Sequence, residues 1–85
     1  SVWPNPATDK ANIAFTCEKA GQVQLTVYDL QGRLVKELIS NNISRGRHTI
    51  TWDLTGQGSS RVEAGIYFAR LSDSEQAESV KIVVR

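Results

Sequence analysis

Methionine is absent from this 85-residue sequence, cysteine and histidine occur once each, and proline only twice. One cysteine, Cys17, leaves no internal disulfide, and one histidine, His48, has no second histidine or carboxylate cluster at ligand spacing to complete a metal site. No cofactor is therefore expected. Charge of one sign is missing too: ten Lys and Arg against nine Asp and Glu leave a net charge of +1. A near-neutral, mixed surface gives no electrostatic basis for binding nucleic acid or an anionic membrane. Apolar runs such as Ile82-Val83-Val84 fall far short of a span, so no membrane insertion is expected. A signal-peptide pattern is also lacking, and the opening Ser1-Val2-Trp3-Pro4 reads as a start within a longer protein.

Catalytic patterns are equally scarce. There is no Gly-x-Ser-x-Gly elbow, no phosphate-binding loop and no carboxylate pair with an apolar pocket. Cys17 shares strand parity with Ile13 and Phe15 and is read as a small buried hydrophobe rather than a nucleophile. His48 is read as a rim residue whose ring reaches water or a carbonyl. Asp53, Gly56 and Gly58 have the flavour of a calcium loop, but the further carboxylates such a loop needs are missing. An enzyme is not expected.

What the sequence does have is alternation. In Val23 to Leu38, Val23, Leu25 and Val27 oppose Gln24, Thr26 and Tyr28, the period of a strand with one buried face. Asp29-Leu30-Gln31-Gly32 supplies turn chemistry: the Asp bonds back to following amides and the Gly tolerates positive φ. Leu34-Val35 and Leu38-Ile39 then continue in adjacent pairs, as in a bulged strand; a short helix is the competing reading. Ala11 to Cys17, Arg47 to Asp53, Gly65 to Leu71 and Glu78 to Arg85 alternate as further strands, with Gly65 to Leu71 apolar on both faces and so central. Ser40 to Gly46 and Leu54 to Ala64 read as loops by composition. Pro4-Asn5-Pro6 makes a stiff corner after the extended Val2-Trp3.

Residues 1–85 are thus expected to form one all-β domain, an antiparallel immunoglobulin-like β-sandwich of about seven short strands. Trp3, Trp52, Tyr28 and Tyr67 are read as core and rim; a sugar-binding face built from them is the rival.

Five short motifs also resemble a known family. Trp3-Pro4-Asn5-Pro6 resembles its Tyr-Pro-Asn-Pro opening, with Trp for Tyr. Tyr28-Asp29-Leu30-Gln31-Gly32-Arg33 resembles its Tyr-Asp-x-x-Gly-Arg turn. Gly46 to Asp53 is similar to its Gly-x-His-x-x-x-Trp-Asp strand, and Ala64-Gly65-Ile66-Tyr67 to its Ala-Gly-x-Tyr motif. Lys81-Ile82-Val83-Val84 resembles its closing Lys and three aliphatics. In this order they resemble the C-terminal sorting domain of proteins exported by the type IX secretion system of Bacteroidetes. The flagellar hook-capping protein carries a similar module, and an ending just after Lys81-Ile82-Val83-Val84 fits the sorting signal.

The resemblance implies a secretion signal at the C-terminus of a larger secreted protein. It directs the cargo across the outer membrane to the cell surface or medium and is then removed by a sortase-like surface peptidase. The implied partners are the secretion translocon and that peptidase. The implied recognition residues are Pro4, Asn5, Pro6, Asp29, Gly32, Arg33, Gly65, Tyr67, Lys81, Ile82, Val83 and Val84. The outward Lys81 and Arg85, with the edge backbone of Ile82 to Val84, would serve strand addition. Open terminal edges also suggest a homodimer through paired or swapped strands. The alternative is a non-catalytic accessory module, carbohydrate-binding or structural, of an extracellular enzyme.

Overall fold

In the computed structural model, which describes residues 1–85, Val23, Leu25 and Val27 are buried as their alternation predicts. They lie on a strand, Gly21–Asp29, flanked in its sheet by Leu34–Ile43 on one side and Gly65–Ser72 on the other. In chain order the strands are β1 (Val2–Trp3), β2 (Ala11–Cys17), β3 (Gly21–Asp29), β4 (Leu34–Ile43), β5 (Gly46–Trp52), β6 (Gly65–Ser72) and β7 (Ala77–Val84). They form a three-stranded sheet, β1-β2-β5, and a four-stranded sheet, β4-β3-β6-β7. Every strand pair is antiparallel. The all-β sandwich expected from the sequence is the fold observed.

The inner faces of the two sheets supply one core. Ile13 and Trp52 come from the smaller sheet; Leu25, Val27, Ala69, Ile82 and Val84 come from the larger. Fully burying side chains of the size of Leu25, Val27 and Ile82 contributes about 1.5–3 kcal/mol each. The central place of β6 between β3 and β7 agrees with its two-sided apolar start. No buried side-chain polar atom lacks a partner.

The bulged reading of β4 also holds. Its pairing with β3 slips between Leu25 and Thr26 and again between Val27 and Tyr28. Those slips let the adjacent pairs Leu34-Val35 and Leu38-Ile39 coexist with a single buried face, of which Ile39 is the most enclosed residue. The expected loop from Ser40 to Gly46 needs correction. β4 continues to Ile43, with Ser40, Asn41 and Asn42 paired to Gln24, Val23 and Gln22. Polar composition misleads here because β4 is an edge strand whose exposed side chains need only be wettable.

A second correction concerns Cys17, which is half-exposed rather than buried. It sits at the end of β2 opposite Gly46, which has no side chain to cover it. The irregular stretch after β5 is anchored by Leu54, fully buried at φ 62, a conformation uncommon for a branched side chain.

Candidate functional site

The Asp29 turn is closed by its own side chain. Asp29 Oδ1 accepts the amides of Gln31 at 3.0 Å and Arg33 at 2.9 Å, and Oδ2 accepts Arg33 Nε at 2.9 Å. Gly32, at φ +83, makes the reversal that returns the chain to β4. The Arg33 amide, followed by the Arg33 guanidinium and the Gln31 amide, holds the Asp29 carboxyl below its ordinary range against some desolvation. Arg33 itself remains largely exposed, so the turn presents a guanidinium on a fixed base.

Register carries this turn to the other motifs. Asp29 lies opposite Tyr67 on β6, Tyr67 opposite Ile82 on β7, and Gly65 opposite Val84. Tyr67 is buried, and its hydroxyl donates to the Glu63 carbonyl at 2.6 Å, four residues upstream. This is the tyrosine-corner geometry of immunoglobulin-like sandwiches. Burial pushes the Tyr67 phenol up, with the charges of Glu63 and Asp29 adding to the effect. Its ring meets Trp52 edge-to-face at 5.6 Å, and Trp52 Nε1 donates to the Thr55 carbonyl at 2.9 Å.

Both rings are therefore core, and neither can serve as a platform for sugar stacking. Of the four aromatics in the rival reading, Trp3 alone is exposed, and Tyr28 is half-buried.

The proline corner joins the same end of the sandwich. Asn5 Oδ1 accepts the Val83 amide at 2.9 Å, and Asn5 Nδ2 donates to the Lys81 carbonyl at 3.2 Å. One side chain thus occupies two backbone groups on the outer edge of β7, much as a neighbouring strand would. Two residues on, the Ala7 amide donates to Val83 O at 2.7 Å and the Arg85 amide to Ala7 O at 2.9 Å. Arg61 Nη2 donates to the Arg85 carbonyl at 2.8 Å. The edge backbone of Ile82 to Val84, expected to be free, is therefore covered by residues 5–7.

All twelve residues implied for recognition lie at or beside this end: the proline corner on the β7 edge, the Asp29 turn beyond β3, Gly65 and Tyr67 at the start of β6, and Lys81 to Val84 on β7. The sequence did not single out Ala7, Leu54 or Arg61. Ala7 is fully exclusive of solvent although it sits in a polar connection, and no periodicity marks it. On the outer face of the larger sheet, Leu34, Tyr28, Phe68 and Lys81 stand in one row across four strands. Leu30, Leu34 and Ile66, at 63%, 50% and 36%, are three of the four large exposed hydrophobic residues of the chain.

The remaining chemical candidates are occupied locally. His48 Nε2 lies 2.8 Å from the Ser44 carbonyl and its ring stacks on Phe15, the rim role expected of it. The Asp53 carboxylate bonds the Thr55 hydroxyl and amide and lies 3.5 Å from Lys36 Nζ. The Thr55 hydroxyl is the main cause of its lowered pKa. No three His, Cys, Asp or Glu side chains are grouped to hold a metal ion.

The model of the family described as "Secretion system C-terminal sorting domain" matches residues 1–85. None of the curated proteins matches the sequence. Among solved structures, the chain is similar to dimeric latent PorU from Porphyromonas gingivalis, at 23% identity and a TM-score of 0.76 over 99% of this chain. It is also similar to PorZ of the same organism, described as an essential bacterial surface component of its type-IX secretion system, at 22% identity and a TM-score of 0.72 over 100% of this chain. It spans 9% of the first and 11% of the second. At that identity the likeness to both is one of fold.

Proposed function

The chain belongs to the family of secretion system C-terminal sorting domains, and from that premise we propose that it directs a cargo protein across the outer membrane by type IX secretion and is then removed by a sortase-like peptidase. The observation that carries this reading is the family match along residues 1–85. The fold is shared with a domain-sized part of PorZ, itself a surface component of a type-IX secretion system. On this reading the chain is the C-terminal domain of a larger secreted protein, and its cargo reaches the cell surface or the medium.

The recognition surface is the end of the sandwich where the motifs meet. Arg33 on its fixed turn and Lys81 at the β7 edge supply exposed cations, and Leu30, Leu34 and Ile66 supply exposed apolar contact. Pro4, Asn5, Pro6, Asp29, Gly32, Gly65 and Tyr67 set that geometry; Ile82 to Val84 bind it to the core. The translocon and the peptidase are the proposed partners. A homodimer is proposed through the terminal edge strand β1, paired or swapped between copies.

The test is a reporter carrying this chain at its C-terminus, targeted to the periplasm of a type IX-competent cell. Export to the surface or medium is expected, and deletion of Val80 to Arg85 should retain it in the periplasm. Because Ile82 and Val84 are core residues, the point variant Lys81→Glu, on an exposed side chain, separates recognition from folding. Unchanged export of both variants would sink the proposal.

A further inference from the structure

Strand β7 ends its sheet, yet half of its outer edge is closed and half is open. In an antiparallel strand the backbone groups of alternate residues point to the same side. Val83 N–H and C=O point away from β6, toward Asn5 and Ala7. By the same alternation Lys81 and Ser79 point outward too. The Lys81 carbonyl is taken by Asn5, whereas the Lys81 amide and both backbone groups of Ser79 have no hydrogen-bond partner on this edge.

The covering segment is lightly held. Pro4, Asn5 and Pro6 are exposed, as are Thr8, Asp9 and Lys10; Ala7 alone is buried. The cover runs parallel to β7, so Pro4 is the next residue toward Ser79, and it has no N–H with which to extend the pairing. Asn5 is the end of the cover, and an open stretch of strand lies directly beside it.

We propose that the β7 edge from Ser79 to Arg85 is a binding site for an extended peptide segment of a partner protein. The segment pairs first with the open Ser79–Lys81 half and then displaces Asn5 and Ala7. The proposal rests on the sorting-signal reading for the identity of the partner. The site specifies its ligand: strand-spaced backbone donors and acceptors, no proline along the paired stretch, and a small residue where Ala7 packs beside Val84, both nearly or wholly closed to solvent. Lys81 has no ion-pair partner, since the ion pairs of this chain are Lys19–Glu75, Arg33–Asp29 and Lys36–Asp53. A carboxylate across from Lys81 therefore completes the match. A second copy fits less well, because two β7 edges joined through their open halves bring the two Lys81 charges to neighbouring positions, where like charges oppose pairing.

Amide hydrogen exchange on the 85-residue chain tests the cover. The amides of Val83 and Arg85 should exchange together, at least tenfold faster than those of Ile82 and Val84, which bond to β6 in the same strand. Asn5→Ala should accelerate both while leaving Ile82 and Val84 protected; Asn5→Asp, which keeps the acceptor for Val83, should do so less. The binding probe is a dye-labelled Thr-Val-Glu-Val-Thr-Ala-Thr peptide, with a control carrying proline at its fifth position. It should bind Asn5→Ala at least tenfold more tightly than the unaltered chain and slow exchange at Ser79 and Lys81. Equal affinity for both chains, no binding to a natively folded Asn5→Ala, or exchange of Val83 and Arg85 as slow as Ile82 and Val84 would overturn it. Dimerisation of Asn5→Ala without peptide, at concentrations where the unaltered chain is monomeric, would give the edge to a second copy and overturn it as well. Reporter export is measured separately: export without peptide binding refutes this inference alone, and loss of export refutes the sorting reading alone.

Discussion

Asn5 Oδ1 accepts the amide N–H of Val83 at 2.9 Å across 78 positions of sequence. The contact joins the first motif of the chain to the last and makes the two a single surface. It also explains why a sheet whose final strand is rich in Val and Ile carries so little free edge there. Edge backbone left open beside aliphatic side chains invites pairing with other chains. Residues 5–7 close the stretch of β7 where those side chains are thickest.

Removing the Tyr67 hydroxyl tests the corner that shapes this end. Tyr67→Phe loses the bond to the Glu63 carbonyl and should cost about 1 kcal/mol. For a domain of this size that corresponds to a fall in Tm of roughly 4–8 °C. A melting temperature unchanged within error would show that the bond contributes nothing.

Trp52 is the largest fully buried side chain. Trp52→Ala should cost about 3–5 kcal/mol through lost burial and the cavity left behind. Because domain stability is of the order of 0.05–0.15 kcal/mol per residue, that loss takes up much of the total. Urea denaturation should place its midpoint far below that of the unaltered chain. A shift under 1 kcal/mol would mean that the core collapses onto the vacancy.

Gly32 tests backbone conformation apart from space, since a Cβ there meets nothing within 4 Å. Gly32→Ala should cost about 1–2 kcal/mol from the left-handed φ alone. Gly32→Asn should cost less, because Asn tolerates that region. Equal losses in the two variants would point to the side chain rather than to φ.

Two ionisable groups set opposite limits of pH. The Asp29 carboxyl is depressed below its ordinary 3.8, first by the Arg33 amide. Its contribution is present above that ordinary value and lost as pH falls through the folded one, where the unfolded chain binds more protons. The Tyr67 phenol is raised above its ordinary 10.0, first by desolvation. Its contribution is complete below 10.0 and lost as pH rises through the folded value. Denaturation across pH should therefore show an acid loss that Asp29→Asn diminishes and an alkaline loss that Tyr67→Phe diminishes. If both variants follow the parent's pH profile, the two assignments fail.

Self-association is expected at the terminal edge strand β1. Light scattering over a concentration series should show dimers at high concentration. A monomer at millimolar concentration would count against that proposal.

Alternation and turn chemistry were enough to determine the class of fold, most of the strands and the Asp29 turn. Val23, Leu25 and Val27 can bury one face only as a strand, and an Asp three residues before a Gly carries its own turn within five residues. The same local logic failed at Ser40 to Ile43, where polar residues continue an edge strand, and at Cys17, whose exposure depends on having a glycine for its cross-strand neighbour. The cover on β7 lay beyond any local signal. Asn5 reads as a turn residue and Ala7 as part of a polar connection, because nothing within a few positions shows that their partners are Lys81, Val83 and Arg85. Backbone hydrogen bonds between distant segments depend on which strand ends at an edge, and packing of the two sheets decides that. Sequence made the motifs visible one by one; tertiary structure brought them to one end and closed the strand edge between the first and the last.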